Sequence, residues 1–446
     1  MNQRIMIAGT HSGCGKTTVT MAVLSALKAR GVDAAAFKCG PDYIDPMFHR
    51  RALGIPAFNL DPYFLDEDGL CGSLAAHGRE ISVVEGVMGF YDGIGTDGWA
   101  STYDVARKTK TPVILVVSAR GMYTSSGALL KGFREYKPDN RIRGVIFNGV
   151  NGMLYAGLKE LAQQQGLIPL GYFPREEAAE LGSRHLGLVT ADEIADLQQR
   201  LEKLGQTAET CLDLDGILKI AGEADPLPQP ERVESGKDAV RIAVARDEAF
   251  CFLYQENLDL LQELGCRIVP FSPIRDEKLP DHVQGLYLPG GYPELYLKEL
   301  SENRSMLRDV REKIRGGLPT IAECGGFLYL HSMLNEVPMV GVFTGKAYQT
   351  SKLQRFGYAT LTARKDNLLC GAGESIRVHE FHYFDSENNG QDFQAEKASN
   401  GKQYDACFGT ETLYAGFPHL FFPANPEFAK NFVRKAMAYG TESKNQ

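Results

Sequence analysis

The chain has 446 residues, 43% of them hydrophobic, and a formal net charge of −8. At about 100–200 residues per domain, that length calls for two or three domains. The acidic balance, with no basic run of five residues, argues against nucleic acid as a partner, and no run of about 18 apolar residues is present to span a membrane.

Residues 5–8 read as a buried strand. Val19, Ala22, Val23, Ala26 and Leu27 then recur at helical spacing until Gly31 ends the helix. The opening MNQRIMIAGT reaches a glycine turn by Gly9, which leaves no apolar run long enough for a secretory signal. Between strand and helix lies GTHSGCGKTT, residues 9–18. Strand, glycine-rich turn, Gly-Lys-Thr and helix is the context of a P-loop. Glycines at 9, 13 and 15 let backbone N–H groups turn inward on a phosphate, and the helix N-terminus adds its positive end. On this reading Gly13, Gly15 and Thr18 line a cradle for ATP. Lys16 faces the β and γ phosphates and the Thr17 hydroxyl takes Mg²⁺. The spacing has one peculiarity: five residues, not four, separate Gly9 from Gly15.

The segment FKCGPDYIDP, 37–46, supplies Lys38, Asp42 and Asp45. Further apolar strands are expected at 81–84, 113–117 and 144–147. The third strand runs into EGVMGFYDG, which carries Glu85 and Asp92. Strands separated by helices imply a parallel sheet covered on both faces. Carboxylates at the C-terminal ends of such strands lie where these sheets bind ligands. Mg²⁺ takes one or two carboxylates together with waters and phosphate oxygens. Four acidic candidates exceed that need, so some serve a second ion or face the substrate.

Residues 222–238, GEADPLPQPERVESGKD, hold three prolines and five acidic residues and read as an exposed linker. Alternation restarts with strands at 240–245, 267–271, 285–289 and 319–323. The expected division is therefore a first domain at 1–221, the linker at 222–238 and a second domain at 239–440.

Residues 319–330, PTIAECGGFLYL, place a cysteine between an apolar strand and a helix-like run. This is the elbow that exposes a nucleophile at the top of a sheet. The helix N-terminus is expected to lower the Cys324 thiol pKa. Of nine cysteines only Cys324 has this setting. The nine include no CxxC pair, which removes zinc-ribbon and thioredoxin readings and fits a reduced, cytoplasmic protein. A base is needed, and His419, His379 and His382 are the candidates; spacing alone does not choose among them. HEFH lacks the further ligands of a metal motif. LPGGYP places Gly290 and Gly291 after another strand, where their N–H groups can form an oxyanion hole.

These motifs together resemble known families. GTHSGCGKTT, FKCGPDYIDP and EGVMGFYDG resemble the dethiobiotin-synthetase-like P-loop ligases, which share the five-residue loop spacing. LPGGYPE, AECGGFLYL and the closing PHL resemble the class I glutamine amidotransferases of the cobyric-acid-synthase type. The combination, over nearly the whole chain, is similar to the cobyrinic acid a,c-diamide synthase family. The resemblance implies two doubly wound α/β domains: an N-terminal P-loop parallel sheet and a C-terminal class I glutamine amidotransferase-like sheet.

It also implies a reaction. Glutamine is hydrolysed at Cys324 through a γ-glutamyl thioester, with His419 raising the nucleophilicity of the cysteine. ATP with Mg²⁺ phosphorylates a substrate carboxylate, with Lys16 and Lys38 screening the charge of transfer to an anion, and ammonia displaces phosphate to give an amide at the c and then the a acetate of cobyrinate. Asp42, Asp45 and Glu85 fall to the metal and Asp92 to the substrate side. Because protonated ammonia is no nucleophile, a protected route between the sites is implied. The partners are small molecules: a tetrapyrrole, glutamine and ATP. Hydrogenobyrinate and nickel-sirohydrochlorin are alternative tetrapyrroles. A P-loop switch ATPase with a nonenzymatic C-terminal module is the reading from another class. In many class I amidotransferases an acid stands two residues after the histidine; here that place is Phe421.

Overall fold

The computed structural model describes residues 3–174, 197–228 and 240–442. The chain divides into two compact units, Met1–Glu231 and Arg232–Gln446. Of the expected linker, residues 229–238 lie outside the described residues.

The first unit is built on strands β1 (Gln3–Gly9), β2 (Ala34–Cys39), β3 (Ala57–Leu60), β4 (Ile81–Glu85), β5 (Val113–Ser118), β6 (Ile142–Asn148) and β7 (Ile168–Phe173). Among the described residues they form one sheet in the order β3-β2-β4-β1-β5-β6-β7, and every neighbouring pair is parallel. β1, β4, β5 and β6 are the strands expected from their apolar runs. β2 was hidden because AAAFKC opens on three alanines, which carry little strand preference. All six of its residues are buried, so no polar alternation marks it either.

Helix α1 (Lys16–Ala29) follows β1 directly. Val19, Ala22, Val23, Ala26 and Leu27 form its buried face, packed with Ile5, Ile7, Val83 and Ile114 of the sheet and with Leu201 and Leu204 of the helix Leu197–Cys211. Full burial of a Val or Leu side chain stabilises by about 1.5–3 kcal/mol, so this stripe holds the helix start rigidly against the strand end. Gly31, at φ +75, turns the chain out of the helix.

The second unit has strands β8 (Val240–Ala245), β9 (Cys266–Phe271), β10 (Gly285–Leu288) and β11 (Thr320–Glu323). Leu413–Gly416 pairs parallel beside β11, and Phe408–Gly409 closes that edge antiparallel. The resulting sheet runs Phe408–Gly409, Leu413–Gly416, β11, β10, β8, β9. Two smaller sheets accompany it. One is mixed, built from Val337–Pro338, His331–Leu334, Phe343–Gln349 and Phe384–Ser386. The other is antiparallel, ordered Gln403–Ala406, Phe393–Lys397, Arg355–Ala363, Ser375–His382 and His419–Leu420. Val240, Ile242 and Val244 of the main sheet pack with Phe428 and Phe432 of the terminal helix and with Leu361 and Val378 of the antiparallel sheet. No helix among the described residues is long and apolar enough to cross a membrane.

Candidate active sites

The turn after β1 has the backbone of an anion cradle. Gly13 (φ +80) and Gly15 (φ +100) adopt left-handed conformations, which cost a side-chain-bearing residue energy that glycine avoids. A Cβ on Gly15 would stand 2.0 Å from Asn148 Nδ2. That amide, at the end of β6, donates to the Cys14 carbonyl at 2.9 Å and braces the loop. A Cβ on Gly9 would meet Cys14 Sγ at 2.3 Å and Lys16 Cγ at 2.7 Å. Thr18 stands in the first turn of α1.

Lys16 Nζ donates to the carbonyls of Met88 (2.5 Å) and His11 (3.3 Å). Met88 takes a left-handed φ of +48, which turns its carbonyl toward the loop. Burial, and after it the nearby Lys38 charge, pull the Lys16 ammonium below its ordinary value, against the opposing pull of Cys14, Glu85 and Asp92. Lys16 is therefore a desolvated cation at the helix start, suited to a dense negative charge.

Beneath it lies a buried ionic cluster. Lys38 Nζ stands 2.7 Å from both Asp45 Oδ2 and Glu85 Oε1. The Thr17 hydroxyl donates to the same Glu85 oxygen at 2.5 Å, and His49 Nε2 lies 3.5 Å from Glu85 Oε2. Burial on its own would raise the Glu85 carboxyl. The Lys38 ammonium and the His49 ring outweigh it and hold the group well below the usual carboxylate range. The sequence-derived candidates thus separate. Thr17, Lys38, Asp45 and Glu85 come together. Asp42 Oδ1 accepts from the Ile44 and Asp45 N–H groups (2.8 and 3.3 Å) and starts the short helix α2 (Ile44–Phe48). Asp92 Oδ2 accepts from Gly89 N at 3.0 Å and acts on Lys16 through its field. A Mg²⁺ ion fits this donor set: the Thr17 hydroxyl and the Asp45 and Glu85 carboxylates are all hard oxygens. No group of three or more His, Cys, Asp or Glu gathers as a metal cage among the described residues.

The second site sits at the end of β11. Cys324 adopts φ +45, ψ −102 and leads into the six-residue helix Gly325–Leu330. A non-glycine residue so placed stores about 1–3 kcal/mol of strain. The two following glycines are required by crowding. A Cβ on Gly325 would stand 2.9 Å from Gly291 N, and one on Gly326 would stand 2.1 Å from the Leu288 carbonyl oxygen. One expectation is corrected here. Burial pushes the Cys324 thiol up, with Glu294, Glu323 and Glu380 adding to it, and the Gly325 N–H does not reverse the effect. The dipole of a helix this short is outweighed by desolvation. Raised in this way the thiol keeps its proton at neutral pH, and a nucleophilic role would call for a base.

His419 is buried on the strand His419–Leu420. Burial, with His379 and His382 beside it, pushes its ring down to about 3, so it is neutral at physiological pH. Its ring lies against Gly290, where a Cβ would stand 2.3 Å from His419 Cε1. Its Nδ1 lies 3.8 Å from an oxygen of Glu323, the residue before Cys324. His379 pairs with His419 across the neighbouring strand. His382 is committed elsewhere: its Nδ1 lies 2.6 Å from the Phe384 carbonyl oxygen and its ring stacks on Phe417 at 3.8 Å. Gly291 passes so close to Ala249 that a Cβ would stand 2.1 Å from its carbonyl oxygen.

Gly290→Ala follows as a test of this packing. The added methyl collides with the His419 ring, and glutamine hydrolysis is expected to fall at least about 10-fold. Overpacking should also lower stability by about 1–3 kcal/mol. Ammonia release and thermal unfolding of the variant check both.

Sequence reasoning passed over several residues that the fold brings to these sites. Asn148 braces the phosphate loop and His49 flanks Glu85. Glu294 has a buried Oε2 with no hydrogen-bond partner among the described residues, and burial pushes its carboxyl up to about 7. Glu294 and Glu323 stand within motifs already singled out, LPGGYPE and AECGG, but a motif does not say which way a carboxylate turns.

Comparison with known proteins agrees with this division of labour. Residues 5–189 match the CobQ/CobB/MinD/ParA nucleotide binding domain, and residues 241–427 match the CobB/CobQ-like glutamine amidotransferase domain. A cobyrinate a,c-diamide synthase of Caldanaerobacter subterraneus is 39% identical over 98% of this chain and 98% of its own length. One from Listeria innocua is 39% identical over 95% of this chain and 97% of its own. One from Methanothermobacter thermautotrophicus is 37% identical over 98% of this chain and all of its own. With such identity held from end to end, across a nucleotide-binding unit and an amidotransferase unit in the same order, the chain belongs to the cobyrinate a,c-diamide synthase family.

Proposed function

We propose that the chain is an ATP- and glutamine-dependent amide ligase that converts the a and c acetate carboxylates of cobyrinate to amides in cobalamin biosynthesis. The observation that carries the reading is the pairing, in one chain, of a phosphate loop over Thr17, Lys38, Asp45 and Glu85 with a cysteine elbow whose preceding residue, Glu323, lies 3.8 Å from His419. A switch ATPase has no use for the second of these. The names borne by the relatives support cobyrinate over hydrogenobyrinate and nickel-sirohydrochlorin as substrate.

In the amidotransferase unit, Cys324 Sγ attacks the side-chain carbonyl carbon of glutamine. His419 takes the thiol proton and returns it to the leaving nitrogen, so ammonia departs and a thioester remains. Gly290 and Gly291 offer N–H groups to the oxyanion. Water activated by His419 then releases glutamate and restores the thiol.

In the ligase unit, the substrate carboxylate attacks the γ-phosphorus of ATP, giving an acyl phosphate and ADP. Two anions must meet, and Lys16 and Lys38 offset that charge. Gly13, Gly15 and Thr18 hold the phosphates. Thr17, Asp45 and Glu85 would hold Mg²⁺, which would supply charge neutralisation on the phosphate oxygens, while Asp42 starts helix α2. Asp92, whose charge acts on Lys16, is assigned to the substrate. Ammonia then attacks the acyl carbon, phosphate leaves, and a proton is lost to solvent. The amide is the product.

The test is incubation of each tetrapyrrole with ATP, Mg²⁺ and glutamine, read by mass spectrometry. Cobyrinate should gain two amides in sequence while phosphate and glutamate appear in step. Amidation of another tetrapyrrole, with cobyrinate untouched, would reassign the substrate.

A further inference from the structure

A histidine that takes a proton through one ring nitrogen carries its own proton on the other, and an acceptor there sets tautomer and orientation. The residue two places after His419 cannot be that acceptor. Phe421 is fully buried, and its ring meets Tyr254 edge-on at 4.9 Å.

We propose that Glu323, the last residue of β11 and the one before the nucleophile, is the positioning acid of His419. Glu323 Oε2 lies 3.8 Å from His419 Nδ1. The carboxyl is anchored through its other oxygen, Oε1, which accepts from Leu420 N and from the Tyr287 hydroxyl, both at 3.1 Å. Asn257 extends the frame: it donates to Tyr287 Oη (3.1 Å) and to the Leu420 carbonyl (2.8 Å), and accepts from Phe422 N at 2.8 Å. The strand His419–Leu420 is thereby held on one side by Glu323 and Asn257 and on the other by its pairing with His379. A gap of 3.8 Å exceeds a hydrogen bond, but catalytic hydrogen bonds of resting enzymes are often long and close when substrate binds. The acid thus reaches His419 from β11 rather than from the histidine's own strand.

Charge gives this pair a pH signature. Burial pushes the Glu323 carboxyl up to about 8, against the Leu420 and Tyr287 hydrogen bonds, and pushes His419 down to about 3. Facing the pair are His379, Glu380 and His382 on Ser375–His382, Tyr287 on β10, Tyr254, and Cys407 with Tyr414. Below pH about 8 the carboxyl is protonated. Above it the carboxylate stabilises the imidazolium formed when His419 takes the Cys324 proton. Glutaminase kcat/KM is therefore expected to rise as pH passes through 8.

The proposal rests on Cys324 and His419 forming the glutaminase, so Cys324→Ala is measured alongside. If that variant still hydrolyses glutamine, the glutaminase reading itself fails. Glu323→Gln keeps an acceptor for Leu420 N but cannot ionise. It should lower glutaminase kcat about 10- to 100-fold at pH 9, with KM for glutamine unchanged and the rise near pH 8 gone. Amidation from free ammonia should stay within about twofold. Glu323→Asp keeps the charge on a shorter arm and should lose less, with the ascending limb retained. A loss equal at every pH would make Glu323 a structural support only and overturn the proposal, as would unchanged kcat in Glu323→Gln. If Glu323→Gln does not fold, Glu323→Asp decides: a lower kcat at unchanged KM supports the proposal, and a wild-type kcat overturns it.

Discussion

Cys324→Ala is expected to lower glutamine-dependent amidation on the order of 10⁴-fold or more, while amidation supplied with free ammonia stays within about twofold. The sulfur is the only atom lost, and under the proposed mechanism it forms the bond that releases ammonia. Ammonia added from outside bypasses that step, so ATP turnover coupled to amide formation should survive. The measurement is product formation with each nitrogen donor in turn. Equal activity with glutamine in variant and wild type would remove the amidotransferase half of the mechanism. A companion change separates chemistry from conformation. Cys324→Gly also removes the nucleophile, but it relieves the strain of φ +45 and should unfold at a higher temperature than Cys324→Ala, by a margin of about 1 kcal/mol.

Lys16→Ala should show the mirror image. Acyl phosphate formation is expected to fall about 10²–10³-fold, and glutamine hydrolysis at Cys324 should persist, because the ligase machinery belongs to the other unit. Isotope exchange from ATP and ammonia release from glutamine, measured on the same sample, check the two halves independently. Glu85→Gln is the sharper structural probe. It removes a buried negative charge shared by Lys38, Thr17 and His49. Breaking a buried pair costs about 3–5 kcal/mol, so loss of activity should come with a lower unfolding temperature. Lys16→Ala, whose side chain touches only backbone carbonyls among its described partners, should remain close to wild-type stability.

The motifs were legible because each depends on short-range geometry. A Gly-Lys-Thr turn between strand and helix, and an ECGG elbow, leave a signature within a dozen residues. Four of the six main-sheet strands of the second unit, β8 to β11, were legible for the same reason: VRIAVA and TIAE are short apolar runs bounded by turns. The two smaller sheets of that unit were not foreseen. Their strands, such as Arg355–Ala363 with burial alternating along RFGYATLTA, pair across long sequence gaps, and no local signal states which strand meets which.

Sequence by itself determined the two α/β units, the glycine-rich loop with Lys16 and Thr17, the cysteine at the elbow, and the set of histidines from which the proposed base is drawn. Only the tertiary structure decided which members of each set meet. It joined Asp45 and Glu85 through Lys38 and left Asp42 to start a helix. It set His419 against Gly290 and Glu323 while His382 stacked on Phe417. It also made Cys324 a neutral thiol, where the sequence context alone suggested thiolate. The physical reason is common to all three. Hydrogen bonds act over about 3 Å and desolvation depends on everything packed around a group. Neither is a property of residues near one another in the chain.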